Sequence, residues 1–263
     1  MRIVFIGASE LGYNCCESCI KNGHSIIGII TLEEEFSVKY KDKSERTTVK
    51  NFLYKDFRNF QATYGIPVVT AVHPVNEAYR MIEQWQPDII IVIGWYYMIP
   101  EKIMNLPKKG VIGIHASLLP KYRGNAPLVW AMINGEKEAG VSLFYIEKGT
   151  DEGDIIGQSS FEITSEDYIS DILKKAEIAS IDLLQQYLPF ISIDKAPRIV
   201  QDHSLATYFP KRSPEDGLID WRWNNEKIKN FIRAQSKPYP GAFMFIDGKK
   251  VTIWQADIIT EKE

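Results

Sequence analysis

Met1-Arg-Ile3-Val-Phe-Ile6-Gly7-Ala-Ser9-Glu-Leu-Gly12 opens the chain. Met1–Ile6 reads as a short strand, and Gly7 and Gly12 bracket the turn that follows it. Such a turn can present backbone N–H groups and a helix N-terminus to an anion. It serves equally as a plain tight strand-to-helix turn that only glycine allows. The spacing is not the dinucleotide fingerprint, which needs a further glycine. Nor is it a phosphate-binding P-loop, because the Lys-Ser/Thr pair is missing.

The same kind of run recurs downstream. Ile3–Ile6, Ile26–Ile30, Pro67–Val69, Ile89–Ile93, Val111–Ile114 and Val141–Ile146 are short, rich in Ile and Val, and poor in polar alternation. Strands of a parallel sheet covered on both faces read this way. Longer amphipathic stretches lie between them, and the pattern predicts helices over Thr48–Tyr64 and Val75–Gln84. The alternation implies an α/β fold: a Rossmann-like, open, mostly parallel sheet with helices on both faces. A further helix follows Thr164 and Asp167, which resemble a capping box. Its apolar residues from Ile169 to Tyr187 recur at helical spacing, and Pro189 is expected to end it.

Glu33–Arg46 is charged and aperiodic and reads as a long loop. Asp194–Ser213 reads as a linker. Beyond it, Trp221–Gln235 reads as a helix and Phe243–Trp254 as a hairpin turning at Asp247-Gly248. The expected domains are therefore 1–193 (catalytic), 194–213 (linker) and 214–263, a small C-terminal helix and hairpin unit.

The 263 residues carry a formal net charge of −3, which argues against a protein that grips a long stretch of nucleic acid. No apolar run approaches the roughly 20 residues that cross a bilayer, and Met1–Ile6 lacks a signal peptide's apolar core. Cys15, Cys16 and Cys19 are odd in number and tightly clustered, which fits reduced thiols on one early helix. No second ligand pair follows for zinc, so no metal is expected. The expected location is cytoplasmic, with no membrane partner.

His115 ends an apolar strand and is followed by Ala116-Ser-Leu-Leu-Pro120 and Arg123-Gly124. Ligands of open α/β sheets bind beyond the carboxyl ends of strands. A His there can accept a proton or donate a hydrogen bond near neutral pH. A second strand, Val141–Ile146, runs into Glu147-Lys-Gly-Thr-Asp151-Glu-Gly-Asp154. A carboxylate from that loop could fix the imidazole's tautomer. From spacing alone, a structural His at a strand end is the commoner reading.

The segment Gly110-Val-Ile-Gly-Ile-His115-Ala-Ser117-Leu-Leu-Pro120-Lys-Tyr-Arg123-Gly124-Asn-Ala-Pro127 resembles the signature of folate-dependent formyltransferases. So do Gly140-Val141 through Gly149-Thr-Asp151-Glu-Gly153-Asp154, the region Pro214–Trp221, and Lys237-Pro-Tyr-Pro240-Gly241-Ala-Phe243. The resemblance implies a catalytic His and Asp at His115 and Asp151, and 10-formyltetrahydrofolate as formyl donor. It also implies a catalytic Asn two residues before the His. That position is Gly113, so the chain departs from the family pattern there. In other enzymes one donor aimed at a developing oxyanion is worth about 3 to 4 kcal/mol. A water, Asn125 or Ser117 could take its place; the chain could be slow or hydrolytic; or the residue could be an introduced change.

Among formyltransferases the chain most resembles the sugar N-formyltransferases, which act on nucleotide-linked amino sugars for bacterial surface polysaccharides such as lipopolysaccharide O-antigen. Length, the C-terminal unit and Gly94-Trp-Tyr-Tyr97-Met98-Ile99-Pro100 carry that likeness. A methionyl-tRNA formyltransferase, a formyltetrahydrofolate hydrolase, or a binding protein impaired at Gly113 are the alternatives. By resemblance the folate lies against Tyr97, Met98, Ile99, Gly149, Thr150 and Asp151. The sugar nucleotide uses Ser9 and the loop of Lys121, Arg123, Gly124 and Asn125, with Arg123 either meeting a phosphate or holding a structural salt bridge. The C-terminal hairpin forms a homodimer contact or covers the main domain.

Overall fold

The computed structural model describes residues 1–39, 46–71 and 74–259. Its elements run β1 (Arg2–Ile6), α1 (Glu10–Lys21), β2 (Ser25–Thr31), β3 (Glu35–Lys39), β4 (Arg46–Lys50), α2 (Asn59–Tyr64), β5 (Val68–Thr70), α3 (Pro74–Trp85), β6 (Ile89–Val92), α4 (Glu101–Met104) and β7 (Val111–His115). They continue as β8 (Arg123–Gly124), α5 (Pro127–Ile133), β9 (Glu138–Tyr145), β10 (Ile155–Glu162), α6 (Ile169–Ser192), β11 (Tyr208–Phe209), α7 (Asn225–Gln235), β12 (Ala242–Ile246) and β13 (Lys249–Ile253). Two compact units divide these elements. Residues 1–115, 142–157 and 180–201 make the first, and residues 116–141, 158–179 and 202 onward the second.

The seven-stranded sheet, which lies in the first unit except for the start of β9 and the end of β10, has the order β10-β9-β7-β6-β1-β2-β5. β1 pairs in parallel with β2 and β6, β2 with β5, and β6 with β7, while β9 runs antiparallel to β7. All six apolar runs are strands of this sheet, and the fold is the mostly parallel, Rossmann-like α/β class expected. Val141–Ile146 is the run whose strand is antiparallel. Ile3, Val4, Phe5, Ile29, Ile30 and Ile89–Ile91 are wholly buried. Strands with both faces covered bury residues of either parity, which is why they lack polar alternation.

The chain steps from β1 outward to β2 and β5, then returns to place β6 on the other side of β1. Such a reversal opens a crevice at the carboxyl ends of the two central strands. The glycine turn stands there. A Cβ on Gly7 or Gly12 would lie 2.5 Å from the Ile93 carbonyl oxygen. Ser9 caps α1 by accepting a hydrogen bond from the Gly12 N–H at 3.2 Å. The two glycines are therefore required by close backbone approach. Gly12→Ala should cost about 2 to 3 kcal/mol in urea denaturation. A loss under about 0.5 kcal/mol would show that the turn relaxes around the methyl group.

Four expectations are corrected. Thr48–Tyr64 is not one helix: Arg46–Lys50 is β4, paired antiparallel with β3, and only Asn59–Tyr64 is helical. The β-branched Thr47, Thr48 and Val49 favour the pleated strand. The expected loop Glu33–Arg46 accordingly contains β3, and its residues 40–45 lie outside the described residues. Pro189 does not end α6, which runs on to Ser192. Leu188 and Ile191 are buried on either side of it, and this packing holds the last turn against the lost N–H. The C-terminal helix starts at Asn225, because Asn224 caps it by accepting from the Lys227 N–H. The preceding Asp220–Arg222 stretch forms a side-chain-bonded turn instead.

Other local expectations hold. Thr164 and Asp167 exchange the two bonds of a capping box, at 3.2 and 2.7 Å. Asp247 and Gly248 both have positive φ, as a primed hairpin turn requires, between β12 and β13. Cys15, Cys16 and Cys19 are buried on α1 and form no disulfide, and burial pushes Cys19 up to about 12. The stretch expected as a linker is built into structure at both ends. Ile199 exchanges backbone bonds with Ile155 in the first unit, and Tyr208–Phe209 pairs with β8 in the second. In the second unit α7 packs on α5. Among the described residues no helix is long and apolar enough to cross a membrane.

Candidate active site

The first unit places His115 at the last position of β7, opposite Ser142 of β9. Buried strand on both sides leaves the imidazole 9% exposed. The loop after β9 carries Asp151 with φ of 55°, in the left-handed region. Its Oδ2 lies 3.6 Å from His115 Nδ1. The structure thus brings the two residues together from separate strand ends. The distance is beyond a hydrogen bond but within ion-pair reach, and Nδ1 is the ring edge that faces the carboxylate. Nε2 lies on the opposite side of the ring.

Gly113 shares the strand face of His115. A Cβ there would meet Ile146 Cδ1 at 2.9 Å and the Val92 carbonyl oxygen at 3.0 Å. The room that an Asn would need is therefore taken by the end of the Ile146 side chain and by the neighbouring strand's backbone. Gly113→Asn alone should cost about 1 to 2 kcal/mol of stability. Adding Ile146→Val, which removes Cδ1, should return most of that cost. A double-mutant cycle in urea checks this. Equal costs in both backgrounds would show that Ile146 is not the obstacle.

Backbone contacts constrain the rest of the Asp151 loop at two points. The Tyr145 N–H donates to the Asp154 carbonyl at 2.9 Å. A Cβ on Gly153 would fall 1.9 Å from the Tyr145 carbonyl oxygen, so only glycine fits there. Gly149, with φ of 116°, also needs to be glycine, whereas Thr150 is exposed. Of the other folate candidates, Ile99 is buried in the core beside Val4, Ile6 and Ile103, and Met98 is 64% exposed. The Tyr97 hydroxyl donates to the Ser37 carbonyl at 2.8 Å, and its ring lies against Phe36 and Trp95. Trp95 and Tyr97 therefore pack, while the Tyr96 hydroxyl donates to Asn51 Oδ1 at 2.7 Å.

In the second unit, the loop of Lys121, Arg123, Gly124 and Asn125 is strapped by residues 207–209. Arg123 N donates to the Thr207 carbonyl and Asn125 N to the Phe209 carbonyl. Gly124 has φ of 96°, and a Cβ there would lie 2.5 Å from the Phe209 carbonyl oxygen. Arg123 is wholly buried; its Nη1 donates to the Tyr208 hydroxyl at 2.7 Å and lies 3.3 Å from His203 Nδ1. Lys121 is exposed, and its carbonyl accepts from the Ser117 hydroxyl at 2.6 Å.

Two buried polar residues escaped the sequence reading. Asn51 donates to the Ala8 carbonyl and accepts from the Leu53 N–H as well as from Tyr96, tying the glycine turn to the segment after β4. Gln201 donates to the carbonyls of Asp151 and Gly153. Neither belongs to a periodic pattern, and their partners are 43 to 50 residues away for the longest of these bonds. No local signal in the chain announces them.

Two family models cover most of the chain: "Formyl transferase" over residues 1–187 and "Formyl transferase, C-terminal domain" over residues 211–263. The chain belongs to the formyl transferase family. Its reaction class is formyl transfer. It is 36% identical to a methionyl-tRNA formyltransferase of Desulforamulus reducens over 98% of this chain and 78% of that protein. It is 34% identical to the bifunctional polymyxin resistance protein ArnA of Wigglesworthia glossinidia brevipalpis, over 99% of this chain and 38% of that protein. The fold matches the N-formyltransferase of Helicobacter canadensis, solved with folinic acid and dTDP-3-aminofucose. That match has a TM-score of 0.71 and 21% identity, and covers 95% of this chain and 85% of the other.

Proposed function

We propose that this formyltransferase moves the formyl group of 10-formyltetrahydrofolate onto the amine of a nucleotide-linked amino sugar, with His115 and Asp151 as its working pair. The observation that carries the chemistry is the 3.6 Å approach of Asp151 Oδ2 to His115 Nδ1. Asp151 holds the ring, and Nε2 serves the reacting amine. The amine nitrogen attacks the formyl carbon, and its proton passes to the His115 imidazole. The bond from the formyl carbon to the folate N10 then breaks, and the proton returns to N10. Gly113 offers no side-chain donor to the oxyanion, so the chain works without the hydrogen bond that the family Asn would make.

The fold match to an enzyme solved with folinic acid and a nucleotide-linked amino sugar supports both substrates. The net charge of −3 accords with a small acceptor. A methionyl-tRNA acceptor is the second reading, favoured by the 36% identity to that class. The nearly equal 34% identity to ArnA, a relative bearing another name, shows that identity alone does not choose between them. Purified protein incubated with the donor and a panel of nucleotide-linked amino sugars, or with methionyl-tRNA, decides the point. Formyl product from a sugar nucleotide is expected. Product from the tRNA alone would replace the acceptor, and release of formate without either would make the chain a hydrolase.

A further inference from the structure

Asp151 faces His115 from a left-handed backbone conformation, φ 55°, that few side-chain-bearing residues adopt. Such a conformation persists only where the surroundings over-determine it. Within the loop the Tyr145 N–H holds the Asp154 carbonyl, three residues beyond Asp151. A grip on residue 151 itself comes from a distant part of the chain.

The segment after α6 lies along the start of β10. Ile199 and Ile155 exchange both backbone bonds, at 2.8 and 2.9 Å. Just before it, Arg198 donates to Asp154 Oδ2 at 3.1 Å and covers the Tyr145 ring at 3.8 Å. Just after it, Gln201 is 4% exposed, and its Nε2 donates to the Asp151 carbonyl at 2.9 Å and to the Gly153 carbonyl at 2.7 Å. One amide nitrogen carries two protons, and here each has a backbone acceptor on either side of residue 152. The two bonds fix the peptide planes that follow Asp151 and Gly153. With the plane after residue 151 anchored and φ held at 55°, the directions open to its Cα–Cβ bond are narrowed, and the one adopted sets the carboxylate toward His115.

We infer that Gln201 is a positioning residue of the active site: it holds the Asp151 loop in the one conformation that sets the carboxylate against His115. The inference rests on the working pair proposed above. It assigns a catalytic consequence to a residue that touches neither reacting atom. Gln201→Ala removes both bonds. Gln201→Glu keeps the shape but sets an ionised carboxylate, which has no proton to give, against two carbonyl oxygens.

The test combines kinetics and structure on the full chain. Gln201→Ala should lower kcat tenfold or more, with KM for the formyl donor changed less than threefold. Gln201→Glu should be at least as slow. In an Asp151→Asn background the same Gln201→Ala change should leave kcat within about twofold, because a mispositioned group that no longer works costs nothing more. A purely structural role would lower stability and kcat alike in both backgrounds, and that result would overturn the inference. So would an unchanged kcat in the Gln201→Ala variant when His115→Asn is inactive, a result that leaves the His115 reading standing. Crystal structures of the wild type and Gln201→Ala give a readout that needs no activity. The carboxylate of Asp151 should move away from His115 in the variant, and an Asp151 that keeps its place would sink the inference even if no acceptor were found.

Discussion

Replacing His115 with Asn should lower kcat for formyl transfer by about 100- to 10,000-fold, the range usual for loss of a general acid–base group. His115 sits at the end of a buried strand, and Asn is smaller and still polar, so the sheet should survive the change. Circular dichroism and the urea midpoint should show a folded variant. On the proposed mechanism the effect falls in kcat, because His115 would take the amine's proton in the chemical step. The His115→Asn, Asp151→Asn double variant should be no slower than His115→Asn alone. Residues that act as a unit are not additive, and an Asp without its His has nothing to orient. Single-turnover kinetics on the four proteins measures this. Multiplying effects would mean that Asp151 acts independently of His115, against the geometry of the pair.

The largest stability effect is expected in the second unit, at Arg233. Its guanidinium is 5% exposed and donates three bonds. They run to the Asp167 carbonyl at 2.7 Å, the Thr164 carbonyl at 2.5 Å and Asn230 Oδ1 at 2.9 Å. Two of the three acceptors lie in the turn that the Thr164–Asp167 capping box closes ahead of α6, so one side chain of α7 is tied to the start of another helix. Arg233→Met keeps the length and the packing of the stem but strands two main-chain carbonyls. A loss of about 3 kcal/mol is expected from the unmade bonds. Thermal and urea denaturation should both report it. A loss below about 1 kcal/mol would show that water reaches the two carbonyls and satisfies them.

The parts of this molecule that were legible in its sequence are those written in local chemistry. Six Ile- and Val-rich runs marked six sheet strands, because a strand buried on both faces cannot hide its composition. Asp247-Gly248 marked its turn because few other pairs tolerate positive φ at two successive positions. The family resemblance singled out His115 and Asp151, which the fold brings within 3.6 Å, and the strand-end position of His115 was legible on physical grounds. What stayed hidden depends on partners distant in sequence. Thr48 and Val49 looked helical only while β3 was unseen, and β3 itself lay within a charged stretch whose pairing no periodicity disclosed. Pro189 stays within α6 because its neighbours are buried, which is a property of the fold and not of the residue. The tie from Gln201 to Asp151 spans 50 residues, and its acceptors are carbonyls, which every residue possesses. The glycine turn was legible as a turn. That it is shaped by the Ile93 carbonyl became visible only once β6 stood beside β1.

The central claim is that this chain transfers a formyl group to an amine through His115. Its most direct measurement is the release of tetrahydrofolate from 10-formyltetrahydrofolate, followed with and without a nucleotide-linked amino sugar, for the wild type and His115→Asn. The account predicts release that depends on the acceptor, with a matching gain of one formyl group on the sugar nucleotide, and loss of both in the variant. Acceptor-dependent release that persists unchanged in His115→Asn would contradict it.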